Sequence, residues 1–204
     1  MRRMTFDTLV SVAGLLLVGI LLVAGGLLAW TSSYINNEVS SQLSAQKIVF
    51  PAANSAAVAA PEFQAMRQYG GQQLTTGAQA EVYADHFIAN HLIKIGGGKT
   101  YAQLSTEALA QPNNAKLAAV VSTVFKGETL RGLLLNAYAF GKIGMIAGIA
   151  AVVAFIGAGI LFLLSVLGLY HSRRVSPTKD ILNTNGRSAP LQPSELEKLE
   201  PVSV

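Results

Sequence analysis

Four side chains that could bind a metal ion or exchange protons lie close together in one stretch of the chain. They are Glu81, Asp85, His86 and His91. Two histidines and a carboxylate form the ligand set of non-haem iron enzymes, and a histidine pair four residues apart is typical of helical zinc sites. Here the histidines are five residues apart, so an α-helix directs them about 140° away from each other. The residue types keep a metal-dependent enzyme as the alternative prediction, but the spacing does not favour it. We expect His91 to be a partly buried, hydrogen-bonded residue of the core instead.

A glycine run followed by lysine and threonine, from Gly96 to Thr100, resembles the end of a phosphate-binding loop. Such a loop also needs a glycine five residues before Gly98, where this chain has Ile93, and it follows a buried strand. The residues before this run have a helical pattern instead. We therefore predict that the run binds no nucleotide.

The same run is also a set of signals for ending one helix and starting another. Gly96 is expected to take the left-handed position that ends a helix, and Gly97 and Gly98 allow the chain to reverse. Thr100 is expected to begin the next helix, with Gln103 completing a capping box. These glycines are therefore predicted to have a structural role.

Other kinds of reaction chemistry have little support in the sequence. The chain has no cysteine, which excludes disulfides, cysteine-ligated metals and a cysteine nucleophile. It has no G-x-S-x-G nucleophile motif, and no basic stripe with interleaved aromatic residues that would indicate nucleic-acid binding. We predict no cofactor and no nucleic-acid partner.

Two long uncharged stretches, residues 9–30 and 143–170, predict two transmembrane helices. The chain of 204 residues is 51% hydrophobic and only 13% charged, and its apolar residues are concentrated in these stretches. Each stretch exceeds the roughly 20 residues that a helix needs to cross a bilayer. The first is also longer than the apolar core of a signal peptide, so we expect an uncleaved anchor.

Basic residues beside the predicted spans indicate their orientation in the cell membrane. Arg2 and Arg3 precede the first span, and Arg173 and Arg174 follow the second. Because such residues favour the cytoplasmic side, both termini are expected there. The predicted organisation is a cytoplasmic N-terminus (1–8), a transmembrane helix (9–30), a small α-helical extracytoplasmic domain (31–142), a second transmembrane helix (143–170) and a disordered cytoplasmic tail (171–204).

The central segment has helical spacing of apolar residues in three places. Residues 78–95 and 100–109 are predicted to be helices, and the helix that begins near Ala115 is predicted to run directly into the second span. Within that span, Gly144 and Gly148 form a G-x-x-x-G pattern. Small residues at this spacing let helices approach closely, so this face is predicted to pack against the first span or another subunit.

Several stretches resemble a group of small actinobacterial membrane proteins with two spans. The resemblance rests on "QLSAQKIVFP", "AQAEVYADHFIANHLIKIGGGKTYAQL" and "LRGLLLNAYAFG", and its most specific part is Gly-Gly-Lys-Thr-Tyr-Ala. This chain departs from the pattern at Ile95 and Gly96, where a threonine often precedes the glycines. Members are often labelled a subunit of an aromatic ring-opening dioxygenase, which implies an iron site of two histidines and a carboxylate. The central segment supplies no such set, so the resemblance implies the architecture rather than that reaction.

The sequence as a whole favours a membrane-anchored accessory or partner-binding protein of the cell envelope, without catalytic activity. The expected partners are the lipid bilayer and another membrane protein, or a second copy of this chain. Lys99 and Tyr101, beside the glycine run, are the predicted partner contacts.

Overall fold

The computed structural model describes residues 3–174 and is mainly helical, as predicted. Within these residues there is no strand, only an isolated antiparallel bridge between Val49 and Gln73. The elements in chain order are α1 (Arg3–Ala45), two 3₁₀-helices (Ala56–Val58 and Pro61–Tyr69), α2 (Gly77–Val82), a π-helical turn (Tyr83–Ile88), α3 (Ala89–Ile95), α4 (Tyr101–Ala110) and α5 (Ala115–Arg174). The predicted tail lies almost entirely outside the described residues.

The two longest helices, α1 and α5, are long and apolar enough to cross a membrane. They contain 43 and 60 residues, and their most apolar windows have mean hydropathies of 2.6 and 2.7. Both helices continue past the predicted ends of the spans, at Trp30 and Ile143, as the sequence indicated. Glycines 127, 132 and 141 do not interrupt α5, although a glycine inside a helix is unfavourable by about 1 kcal/mol relative to alanine.

The described residues form two compact units, and α1 and α5 contribute to both. The first unit contains α1 up to Leu21 and α5 from Ile156 onward. In this unit Gly14 of α1 lies against the side chain of Ser165, and Gly168 of α5 lies against that of Ser11. Neither glycine leaves room for a β-carbon, so these residues set how closely the two helices approach.

The second unit contains residues 22–155, and in it the predicted G-x-x-x-G face packs against α1. A β-carbon at Gly144 would lie 3.1 Å from Cγ2 of Ile35, and one at Gly148 would lie 2.8 Å from Oγ of Ser32. A larger side chain at either position would require neighbouring side chains of α1 to shift, so the two glycines favour the observed separation of the helices.

The residues between the two long helices pack around one apolar core. Phe50 is almost fully buried, and its ring meets Tyr83 edge-on at 5.4 Å and Tyr69 at 5.3 Å. Leu43 of α1 and Leu134 of α5 belong to the same core. Contacts from α1, α5 and the intervening segment thus stabilise this unit together.

The stretch from α2 to α3 is one continuous helical path with a wide turn in the middle. Thr76 and Gln79 form a capping box at its start, with Gln79 N–H donating to Thr76 Oγ1 at 3.2 Å. This box was not predicted, although its Thr-x-x-Gln pattern equals that of Thr100 and Gln103. The helix consequently begins at Gly77.

The wide turn explains which residues of this path are buried. Ala80, Ala84, Ile88 and Leu92 all face the core at intervals of four residues. In an α-helix, four residues overshoot a full turn by about 40°, so such a series would drift around the helix. The π-helical turn, whose hydrogen bonds join residues five apart, removes part of this drift.

This geometry corrects the prediction for His91. An α-helical pattern of three- and four-residue spacings placed His91 on the buried side, but it is exposed. Its Nδ1 lies 2.7 Å from the backbone oxygen of Phe87, and its ring lies 4.4 Å from the ring of Phe87 and 5.7 Å from that of Phe63. It therefore covers the edge of the core instead of lying within it.

Candidate functional site

An apolar groove lies between α1 and α5 in the second unit. It is lined by α1 from Tyr34 to Leu43, by Gln46 directly after α1, and by α5 between Leu130 and Ile143, and its volume is about 530 Å³. The lining segments are about 18–20 Å long at 1.5 Å per residue. This volume falls within the range of small-molecule sites in proteins, about 300–1,000 Å³.

The groove has an apolar floor and two different edges. Leu43 and Leu134 form the floor and are buried in the core. On the α5 edge, Leu133 and Phe140 are 61% and 56% exposed. Large apolar side chains exposed together in this way mark interaction sites.

The α1 edge of the groove is polar. Glu38, Gln42 and Gln46 follow one another at four-residue intervals along it. Gln42 Nε2 donates a hydrogen bond to Glu38 Oε1 at 2.6 Å. Among the described residues that line the groove, Glu38 is the only charged one, so an occupant would meet one carboxylate and several amide groups there.

The two ends of the groove differ in surroundings. At the inner end Ile143 begins the predicted second span, and Tyr34 stacks on Trp30, the last residue of the predicted first span, at 5.7 Å. At the outer end Lys126 lies one helical turn beyond Leu130 on the same side of α5. Lys126 is exposed and forms no ion pair within the described part of the chain.

Sequence reasoning missed the groove, although part of its signal was present. The α5 side continues the small-residue face outward through Leu130, Leu133, Ala137 and Phe140, at spacings of three and four. This pattern predicts an apolar side of a helix. Whether that side is covered depends on the separation of α1 from α5, which the pattern does not contain.

The glycine run ends α3 in a Schellman motif, one residue later than predicted. Gly96 has a right-handed conformation with φ of −80°, and Gly97 takes the left-handed position with φ of +62°. Gly98 N–H donates to Ile93 O at 2.8 Å and Gly97 N–H to Lys94 O at 3.4 Å, which is the bond pair of that motif.

These bonds also bear on phosphate binding. A phosphate loop directs free backbone N–H groups at its ligand. Here the N–H groups of Gly97, Gly98 and Lys99 all donate to backbone oxygens of the chain itself. The run therefore lacks the free donors that a phosphate cradle requires.

The start of α4 has the predicted capping box, with Gln103 N–H donating to Thr100 Oγ1 and Thr100 N–H donating to Gln103 Oε1. The two predicted partner contacts already have neighbours within the chain. Lys99 Nζ lies 2.6 Å from Glu107 Oε1, and the ring of Tyr101 lies 5.4 Å from that of Phe125. Both side chains remain partly exposed.

The structure does not bring the four metal-ligand candidates together. Asp85 accepts a hydrogen bond from Arg131 at 2.8 Å, and Glu81 is half-buried on α2. His86 Nδ1 lies 3.3 Å from Glu62 O, while His91 is bound to Phe87 as described above. Among residues 3–174, no three His, Cys, Asp or Glu residues lie close enough together to hold a metal ion.

Three groups of the second unit have shifted pKa values. The hydrogen bond to Asp85 raises the pKa of Arg131, against the opposing effect of burial. The pKa of Glu62 is lowered first by a hydrogen bond from the backbone N–H of Glu62 itself and then by Lys94. Burial raises the pKa of the Tyr83 hydroxyl. The shift of Arg131 arises chiefly from its ion pair with Asp85, whereas that of Glu62 arises first from a backbone hydrogen bond and then from Lys94, and neither points to proton transfer.

Comparison with known proteins gives this chain no relative: no protein-family model, no curated protein and no solved structure matches it.

Proposed function

We propose that this chain is a membrane-anchored accessory protein of the cell envelope that acts by binding an apolar partner and catalyses no reaction. In this proposal α1 and α5 cross the cell membrane, both termini are cytoplasmic and the central segment is outside. The length and apolar composition of the two helices support the anchoring, and the flanking arginines support the orientation. The architecture implied by the actinobacterial group is the same.

The observation that carries the binding function is the groove between α1 and α5. Its α5 edge leaves Leu133 and Phe140 largely exposed beyond the predicted span. Exposed apolar area is unfavourable in water by about 25 cal/mol per Å², so a partner that covers these side chains gains binding free energy. The core lies at the floor of the groove, which gives the site a fixed shape.

The orientation is testable because the chain has no cysteine. Single variants Ala57→Cys, in the central segment, and Ser188→Cys, in the tail, are treated with a membrane-impermeant maleimide in intact cells. In intact cells we expect the reagent to label Ala57→Cys and not Ser188→Cys. After lysis we expect it to label both variants. Labelling of Ser188→Cys in intact cells would contradict the proposed orientation.

The binding function is tested by mild solubilisation of the full chain followed by native mass spectrometry. We expect a bound lipid, a bound protein or a second copy, which is lost in Leu133→Gln and retained in Leu109→Gln. Leu109 lies on α4 outside the groove and is 81% exposed, so it is a matched control. A bare monomer for the unaltered chain would refute the proposal.

A further inference from the structure

We infer that the groove holds one acyl chain of an anionic lipid that has moved outward from the outer leaflet, with the lipid headgroup beside Lys126. This inference rests on the proposed membrane anchoring and orientation. It names the occupant of the groove, which the proposed function leaves open.

The first argument is the size of the groove. An α-helix with its side chains is about 10–12 Å across, much wider than a single hydrocarbon chain. A partner helix could therefore insert only the side chains of one face. A single hydrocarbon chain is thinner than a helix and can lie within about 530 Å³ along the apolar floor.

The second argument is the continuity of the groove with the predicted hydrocarbon region. Its inner end is formed by Tyr34, Phe140 and Ile143, at the predicted boundary of the two spans. A lipid that slides outward along the helices keeps its orientation, with the headgroup toward water and the chain toward the membrane. Its chain passes from hydrocarbon to apolar side chains without crossing water, so the transfer retains most of the hydrophobic free energy.

The third argument is the distribution of charge along the groove. Glu38 lies on the α1 edge near the inner end, since the neighbouring Ile35 contacts Gly144. Lys126 lies toward the outer end of α5, about 20 Å along the helix from Phe140, which lines the inner end of the groove. An anionic headgroup is repelled by Glu38 and attracted by Lys126, so the charges favour the outer position for it.

The polar edge supplies further contacts to such a headgroup. Gln46 lies at the outer end of the α1 edge and is exposed. Amide N–H groups donate hydrogen bonds to phosphate oxygens, whereas a hydrocarbon chain has no atom that can accept one. The groove therefore has an apolar part for a chain and a polar end for a headgroup.

The experiment uses the full chain in nanodiscs that contain a phospholipid with a photoreactive group in the half of its acyl chain nearest the headgroup. One set contains anionic phosphatidylglycerol and the other contains zwitterionic phosphatidylcholine with the same chains. Mass spectrometry then locates the cross-links. We expect cross-links within residues 130–137 of α5 and within residues 42–46 at the end of α1 and just after it, at higher yield from the anionic lipid.

Variants separate the contribution of the groove from that of the headgroup site. Leu133→Gln is expected to lower groove labelling by about tenfold, because burial of a leucine against the chain contributes about that factor to binding. Leu109→Gln should leave labelling unchanged. Lys126→Gln is expected to lower labelling by the anionic lipid about two- to fivefold, more at low salt than at high salt, whereas Lys116→Gln should not.

The outcomes distinguish failure of this inference from failure of the proposed function. Labelling confined to residues 9–30 and 143–170 would overturn the lipid site while leaving the membrane anchor intact. Absence of labelling in both regions would overturn the anchor itself. A groove that cross-links only to a second polypeptide in native membranes would assign it to a protein helix and overturn the inference. Circular dichroism of each variant verifies that the helices are retained.

Discussion

Arg131 of α5 donates a hydrogen bond from Nη2 to Oδ1 of Asp85, in the π-helical turn, at 2.8 Å. The two residues are far apart in sequence, so this contact joins the helical path of the central segment to α5. The side chains are 33% and 40% exposed, which limits the strength of the pair.

The variant Arg131→Gln is therefore expected to lower the free energy of unfolding by about 0.5–1 kcal/mol. A double-mutant cycle with Asp85→Asn should give a coupling energy of similar size, measured by thermal or denaturant unfolding in detergent. Glu128→Gln is the control, since Glu128 lies 3.5 Å from Arg131 within the same helix and should matter less. A coupling energy of zero would show that Asp85 and Arg131 act independently.

The pH dependence of this pair follows from the raised pKa of Arg131. A group whose pKa is higher in the folded state contributes stability below its unfolded pKa and loses it only as the pH rises through the folded value. Both values lie far above neutral pH. The protonation of Arg131 should therefore cause no change in stability through the neutral range.

Glu62 should have the opposite pH dependence. Its pKa is lowered from 4.5 first by its own backbone N–H and then by Lys94, whose Nζ lies 3.2 Å from Oε1. Its contribution is present above the unfolded pKa and is lost as the pH falls through the folded value. In a carbon-13 NMR titration, Lys94→Met should move the pKa of Glu62 part of the way back toward 4.5. Lys116→Met should not move it, and a shift of equal size in that control would contradict the assignment to Lys94.

Removal of a core side chain should be far more costly than changes to these ion pairs. Phe50→Ala is expected to lower the free energy of unfolding by about 3–5 kcal/mol, because it leaves a cavity beside Tyr69 and Tyr83. The neighbouring Val49 is exposed, so Val49→Ala should change stability by less than about 0.5 kcal/mol. Similar effects of the two variants would exclude Phe50 from the core.

Two glycine-to-alanine variants should change stability in opposite directions. Gly97→Ala places a β-carbon on a residue with φ of +62°, and we expect a loss of about 1 kcal/mol. Gly132 lies within α5 with no neighbour where a β-carbon would be, so Gly132→Ala should stabilise by about 0.5–1 kcal/mol. Unfolding midpoints of the two variants test this, and a stabilising Gly97→Ala would rule out the Schellman geometry.

Packing of the long helices is tested by leucine substitution in α5. Gly144→Leu should destabilise the second unit by about 1–3 kcal/mol, since its side chain meets Ile35 and Asn36 of α1. Gly159→Leu enters open space and should have little effect. Unfolding in mild detergent, followed by circular dichroism, compares the two. Equal losses would mean that the G-x-x-x-G face does not determine the helix separation.

The features that could be predicted from the sequence are those determined by residues close together in the chain. The capping box of Thr100 and Gln103 depends on four residues, and the uninterrupted helices α1 and α5 depend on long runs of helix-favouring apolar residues. The left-handed glycine was predicted one position early, at Gly96. A run of three glycines permits either position, and the bonds to Ile93 and Lys94 select Gly97.

The features that could not be predicted depend on tertiary packing. His91 is exposed because the path from α2 to α3 widens so that Ala84 and Ile88 remain against the core. The groove exists because α1 and α5, which contact each other at Ile35 and Gly144, leave space between them farther out. Neither the width of a helical turn nor the distance between two helices is contained in a local pattern.

The π-helical turn has a further consequence for how this chain tolerates changes in length. A wide turn holds one residue more than an α-helical turn, so it is equivalent to a single-residue insertion that the fold has absorbed. Deleting one residue between Tyr83 and Ile88 would restore the α-helical pitch without breaking the helix. Because the wide turn absorbs its extra residue without the rotation that a residue adds in an α-helix, the helix after such a deletion would keep nearly its present angle, and Leu92 would still face Gly127, against which it packs. A deletion within α2, which is regular α-helix, would instead rotate the following residues by about 100° and turn Leu92 away from α5, so this chain should tolerate the loss of a residue at the wide turn better than one residue earlier in the same helical path.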